Sequence, residues 1–138
     1  MTGQDRFSVA NQPGPATTPA APPRIRRAEM PDLPALVAIE QACFAIPWSE
    51  QSLKSDLVSD TAHLWVAEQA GQVIGYIACY QGGDVAQINN LAVLPEARRR
   101  GTGRLLIEAL LDWAVSIGVT AVDLEVRPSN QAARLLYE

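Results

Sequence analysis

Lysine is almost absent from this sequence. Lys54 is the only one, so nearly all the positive charge is carried by arginine. Histidine is as scarce, with His63 alone, and the two cysteines, Cys43 and Cys79, stand in apolar surroundings. No Cys-x-x-Cys or Cys/His spacing occurs, which argues against a metal site and makes buried free thiols the expectation. No apolar run approaches the roughly 18 residues of a membrane span. A basic start followed by an apolar stretch is also missing, so no secretory signal is expected. A soluble, cytoplasmic chain follows, with no membrane among its expected partners.

Charge is sparse and its formal net value is −4, which gives the chain as a whole no field for nucleic acid. The arginines are nevertheless concentrated locally at Arg98, Arg99 and Arg100. A cluster of that size suits a small anionic ligand better than a polyanion, whose binding needs phosphate contacts spread along a surface.

The 138 residues fit one domain. Residues 1–23 read as a disordered Pro/Ala-rich tail, because five of the ten prolines lie between Pro13 and Pro23 and large apolar side chains are nearly missing there. The folded domain is expected over residues 24–138. A short strand is expected at 24–28. A helix opens at Asp32, with Leu33, Leu36, Val37 and Ile39-Glu40 at helical spacing, and ends near Phe44. Ser49 can cap a second helix carrying Leu53, Leu57 and Val58.

Three strands follow at 62–69, 72–81 and 85–93, joined by turns at Ala70-Gly71 and Gly82-Gly83-Asp84. Residues 101–117 form the longest helix pattern, with Gly118 as its C-cap. A strand at 121–126 and a helix capped by Ser129 complete the order. An antiparallel meander followed by a strand-helix-strand crossover implies an α/β fold with a mixed sheet and helices packed against it.

The most informative segment runs from Asn89 to Arg104. A strand enters a short loop, and Gly101 and Gly103 then open the long helix. Glycines let backbone N–H groups turn toward a ligand, the first helical turn leaves further donors, and the helix dipole favours an anion there. Arginines add charge-assisted bonds to phosphate oxygens. These features together suit a pyrophosphate. A Walker loop does not occur. A dinucleotide fingerprint fails at its third glycine position, occupied by Leu106, and the preceding strands form hairpins where that fold needs a parallel crossover.

Farther on, alternation in the strand puts Val122, Leu124 and Val126 on one face and Asp123 and Glu125 on the other. Asn130 and Tyr137 lie seven residues apart, two helical turns along one face.

The pattern Arg98-x-x-Gly101-x-Gly103 after Leu91-Ala92-Val93 resembles the acetyl-CoA signature of the GNAT acetyltransferases. The run from Leu124 to Glu138, with Glu125, Arg127, Ser129, Asn130, Ala132, Ala133, Leu136 and Tyr137, is similar to the signature of the RimI-type enzymes within that family. Pro47-Trp48-Ser49-Glu50 matches a further motif of theirs, in a segment that faces their substrate.

The resemblance implies a GNAT fold that moves an acetyl group from acetyl-CoA, without a metal, to the N-terminal alanine of a ribosomal protein. It implies Glu125 as proton acceptor and Tyr137 as proton donor. It further implies cofactor contacts from Leu91, Ala92, Val93, Arg98, Arg99, Arg100, Gly101, Thr102, Gly103, Arg104 and Asn130. Relatives continue past the position of Tyr137 through a Leu-Gly-Phe segment into further strands, so the domain is expected to be incomplete at its C-terminus. A GNAT enzyme for a lysine or small amine, and a non-catalytic acyl-CoA-binding module, share the cofactor motif. A monomer is favoured over an oligomer.

Overall fold

Five strands lie side by side in chain order in the computed structural model, which describes residues 21–124. The strands are β1 (Arg24–Arg27), β2 (Ala62–Gln69), β3 (Gln72–Gly82), β4 (Val85–Val93) and β5 (Ala121–Leu124). The first four pair antiparallel and β5 joins β4 in parallel, as the expected meander and crossover require. Helices α1 (Leu33–Cys43) and α2 (Glu50–Val58) precede β2, and α3 (Thr102–Ser116) links β4 to β5. The tail through residue 20, Val126 and the helix expected from Ser129 lie outside the described residues.

Local chemistry accounts for the boundaries. Ala70 and Gly71 both adopt left-handed backbone, φ 53° and 78°, the geometry of a two-residue hairpin whose twist matches its strands. Ser49 accepts the Ser52 N–H at 3.1 Å and caps α2. Gly118, at φ 85°, lets the Val119 N–H reach back to the Ala114 carbonyl at 2.9 Å and closes α3.

Asp32 behaves differently from expectation. The regular helix starts one residue later, and the Asp32 carboxylate turns backward instead. It accepts the Glu29 N–H at 2.7 Å and two bonds from the Arg26 guanidinium, each 2.9 Å. A short 3-10 turn, Met30–Asp32, occupies the junction and leaves the capping bond on that earlier turn.

The sheet is buried on both sides. Trp65, Ile77, Ile88, Leu91 and Val93 face α3, where they meet Leu106 and Leu110. Leu64, Val66, Tyr76, Ala78 and Ala92 face the other way and pack on Leu36, Ile39 and Leu53. Two irregularities were not anticipated: Ala67 pairs with Gly75 and Glu68 with Val73, so Ile74 is an extra residue in β3, and a second lies in β4. Ala78 pairs with Asn90 and Cys79 with Ile88, so Asn89 is an extra residue in β4, a bulge that reverses the alternation beyond it.

Candidate active site

Beyond Val93 the chain makes a 3-10 turn, Pro95–Ala97, and then a tight loop into α3. Arg98 holds this loop to the sheet: its Nε donates to the Val93 carbonyl at 2.9 Å, and its guanidinium reaches Cys43 Sγ at 3.5 Å. Arg100 donates to the Glu96 carbonyl at 3.0 Å. Arg99 takes left-handed backbone at φ 65°, unusual for a residue with a side chain, and Gly101 follows at φ 81°. These two turns wrap the backbone around the start of α3.

Gly101 is the N-cap of α3, so no side chain caps the helix. The first intrahelical bond runs from the Leu105 N–H to the Gly101 carbonyl at 3.0 Å, which leaves the preceding N–H groups of that turn without helical acceptors. Thr102 is 2 % exposed, and its hydroxyl is buried with no hydrogen-bond partner. Orphaned donors at a positive helix end, beside exposed Arg99, Arg100 and Arg104, fit a phosphate group. An added Cβ at Gly101 would meet no atom within 4 Å, so glycine is needed there for its backbone angle.

The two cysteines differ in setting. Cys79 is buried and its thiol is pushed up to about 11 by that burial, despite nearby Arg27. Cys43 is only half-buried, a correction to the expected burial, because it sits at the end of α1 beside the loop and donates to the Val93 carbonyl at 3.4 Å. Burial raises its thiol despite the Arg98 contact, which leaves it a poor nucleophile at neutral pH. Both thiols are free. Among the described residues no group of three or more His, Cys, Asp or Glu could hold a metal ion.

The described pairing of β4 with β5 runs to Ile88 with Leu124, the last described residue. Leu91, Ala92 and Val93 continue past that point, paired to Ile77, Tyr76 and Gly75 of β3. Beside them lies a buried polar cluster. The Glu40 carboxylate, fully buried on α1, accepts the Trp48 N–H at 2.7 Å, the Tyr76 hydroxyl and the Asn90 carboxamide, which also meets the Tyr76 oxygen. One carboxylate thus ties α1, the Trp48 segment, β3 and β4 together.

The sequence profile of the Acetyltransferase (GNAT) family matches residues 33–138. The chain belongs to this family. Membership of GNAT places it among the acyltransferases. The [ribosomal protein bS18]-alanine N-acetyltransferase of Escherichia coli K12 is 39 % identical over 110 residues, 80 % of this chain and 74 % of that protein. A crystal structure of the ribosomal-protein-S18-alanine N-acetyltransferase from Escherichia coli superposes with a TM-score of 0.75 at 37 % identity, covering 83 % of this chain and 74 % of the other. At 18 % identity, the fold alone is shared with a paia N-acetyltransferase from Thermoplasma acidophilum in complex with coenzyme A, TM-score 0.75, covering 83 % and 86 %.

In this GNAT domain Leu91, Ala92, Val93 and the residues from Arg98 to Arg104 form one continuous stretch from the end of β4 to the first turn of α3. Glu125, Asn130 and Tyr137 lie outside the described residues. Sequence reasoning missed the Glu40 cluster and the bulge. Both left a trace. Glu40 occupies a core position of the Leu36-Ile39-Glu40-Cys43 stripe, and Ile88 and Leu91 are both core residues at an odd spacing that a plain strand cannot give.

Proposed function

We propose that this GNAT enzyme acetylates the N-terminal alanine of a small-subunit ribosomal protein, with acetyl-CoA as the acetyl donor. The observation that carries the reading is the 39 % identity, over 80 % of the chain, to an enzyme named for that reaction. The donor fits the loop into α3: its pyrophosphate would take the N–H groups of the first helical turn, the Thr102 hydroxyl and the flanking arginines. Leu91, Ala92, Val93 and Asn130 would align the pantetheine arm.

Glu125 follows Leu124 directly, and alternation assigns it to the face opposite Leu124. In this reading it removes a proton from the acceptor ammonium, directly or through a water. A terminal α-amine has a reference pKa of about 8 against about 10.4 for lysine, so a modest base suffices. The neutral amine then attacks the thioester carbonyl, a C–N bond forms and the C–S bond breaks. A β4 backbone N–H stabilises the oxyanion, and Tyr137 protonates the departing thiolate. No acyl-enzyme is required, in keeping with two thiols held in their protonated form.

The test is acetyl transfer to a synthetic peptide that starts with alanine and contains an internal lysine, with the modified nitrogen located by fragment mass spectrometry. Acetylation at the α-amine is the expected result. Modification of the lysine alone, or of neither amine, would overturn the proposal.

A further inference from the structure

Two asparagines stand in a row where β4 bulges. Ile88 and Leu91 both pack against α3, so the alternation leaves Asn89 and Asn90 together on the opposite side. Asn90 is buried and engaged with Glu40 and Tyr76. Sliding the bulge along the strand would break those bonds, so its position is fixed. Asn89 has no such anchor: its Oδ1 is buried and has no hydrogen-bond partner. Folded proteins rarely leave a buried carbonyl oxygen without a donor, and a specific exception needs a cause.

The position supplies one. Asn89 directly follows Ile88, whose β5 partner Leu124 is the residue before Glu125, and it lies just ahead of Leu91, Ala92 and Val93. It therefore stands next to the strand pair that leads into the proposed base and directly ahead of the proposed donor stretch.

We infer that Asn89 Oδ1 accepts a hydrogen bond from the acceptor's terminal amine and so is a substrate-binding residue of this site. The inference rests on the terminal-amine reading above. An α-amine brings several N–H donors: one proton goes to Glu125, and another N–H points to Asn89 while the lone pair faces the thioester. A neutral carboxamide has an advantage over a second carboxylate here. A negative charge would favour the ammonium form and resist its deprotonation, whereas a carbonyl orients the amine with far less of that effect.

The experiment measures peptide KM and kcat, acetyl-CoA affinity by calorimetry, and melting temperature for wild type, Asn89→Leu and Asn89→Asp. Leucine removes the oxygen at similar volume. Its peptide KM should rise tenfold or more while acetyl-CoA affinity stays within twofold, and its melting temperature should be no lower than wild type, since no internal bond is lost. Aspartate keeps an acceptor oxygen and loses the donor, so it should recover most of the lost peptide affinity.

An unchanged KM in Asn89→Leu would overturn the inference, as would a loss of acetyl-CoA affinity in its place, which would give the oxygen to the pantetheine arm. A lower melting temperature would show a structural partner, and an Asp variant as weak as Leu would remove the acceptor role. Failure of the wild type to acetylate the terminal amine would overturn the proposed function and this inference with it. Transfer by the wild type with an unaffected Leu variant would overturn this inference alone.

Discussion

Against α3 the sheet presents an apolar surface, with Trp65, Ile77, Ile88 and Leu91 meeting Leu106 and Leu110; against α1 it buries Glu40, Tyr76 and Asn90 in one hydrogen-bonded cluster. The two faces do different work. Apolar packing has no direction and chiefly fixes how far α3 stands from the sheet, which sets the depth of the loop at its N-terminus. Hydrogen bonds to a buried carboxylate have direction, and they hold β4 at one register beside its bulge. The first face carries the loop proposed to hold the pyrophosphate, and the second shapes the strand that would hold the reacting groups.

If Glu125 is the base of the proposed reaction, its loss should cost the most. Glu125→Gln should lower turnover at neutral pH by roughly 10²–10⁴-fold, the usual scale of general base catalysis, while acetyl-CoA affinity stays nearly intact. Part of that rate should return at high pH, where the α-amine is already neutral. Steady-state rates across pH check both statements, and wild-type turnover at pH 7 would remove Glu125 from the mechanism.

The stability difference between the faces can be read by two near-isosteric swaps. Leu110→Met on the apolar face should cost less than about 1.5 kcal/mol. Glu40→Leu should cost about 2 kcal/mol or more, because it removes the buried acceptor that the Trp48 N–H, the Tyr76 hydroxyl and the Asn90 carboxamide share. Urea denaturation of both variants measures the contrast, and equal losses would erase it.

The proposed pyrophosphate loop should be sensitive to backbone geometry. A Cβ at Gly101 meets no atom, yet valine resists the φ of 81° that the loop uses. Gly101→Val should weaken CoA by about tenfold, roughly 1.4 kcal/mol, in a calorimetric titration of folded protein. The smallest effect belongs to Asp32. Hydrogen bonds from Arg26 hold its carboxyl below the usual range, so the pair stabilises the fold above about pH 4 and loses that contribution as pH falls further. Asp32→Asn should lower the melting temperature at neutral pH and flatten its fall below pH 4.

Much of this was legible in the sequence because it depends on local rules. The limits of β2 and β4, the Ser49 cap and the Gly118 stop follow from alternation and capping chemistry, and the structure has each of them. The loop at Arg98 was legible because glycines and arginines clustered at a helix start have few other uses. The left-handed Arg99 was not, since arginine gives no sign of it. Nor was the Glu40 cluster, whose members come from α1, β3 and β4 and meet only in the folded chain. The bulge falls between: the spacing of Ile88 and Leu91 encodes it, but an Asn-Asn pair reads first as polar strand residues.

The central claim is that this GNAT domain acts on a terminal α-amine, and its most direct test is a rate ratio. kcat/KM at pH 7 would be measured for a peptide starting with free alanine and for the same peptide with a blocked terminus and an accessible lysine. A reference pKa gap of about 2.4 between the two amines, added to a site built for the terminus, predicts a preference of about two orders of magnitude or more for the free alanine. Comparable values for the two peptides, or a preference for lysine, would contradict it.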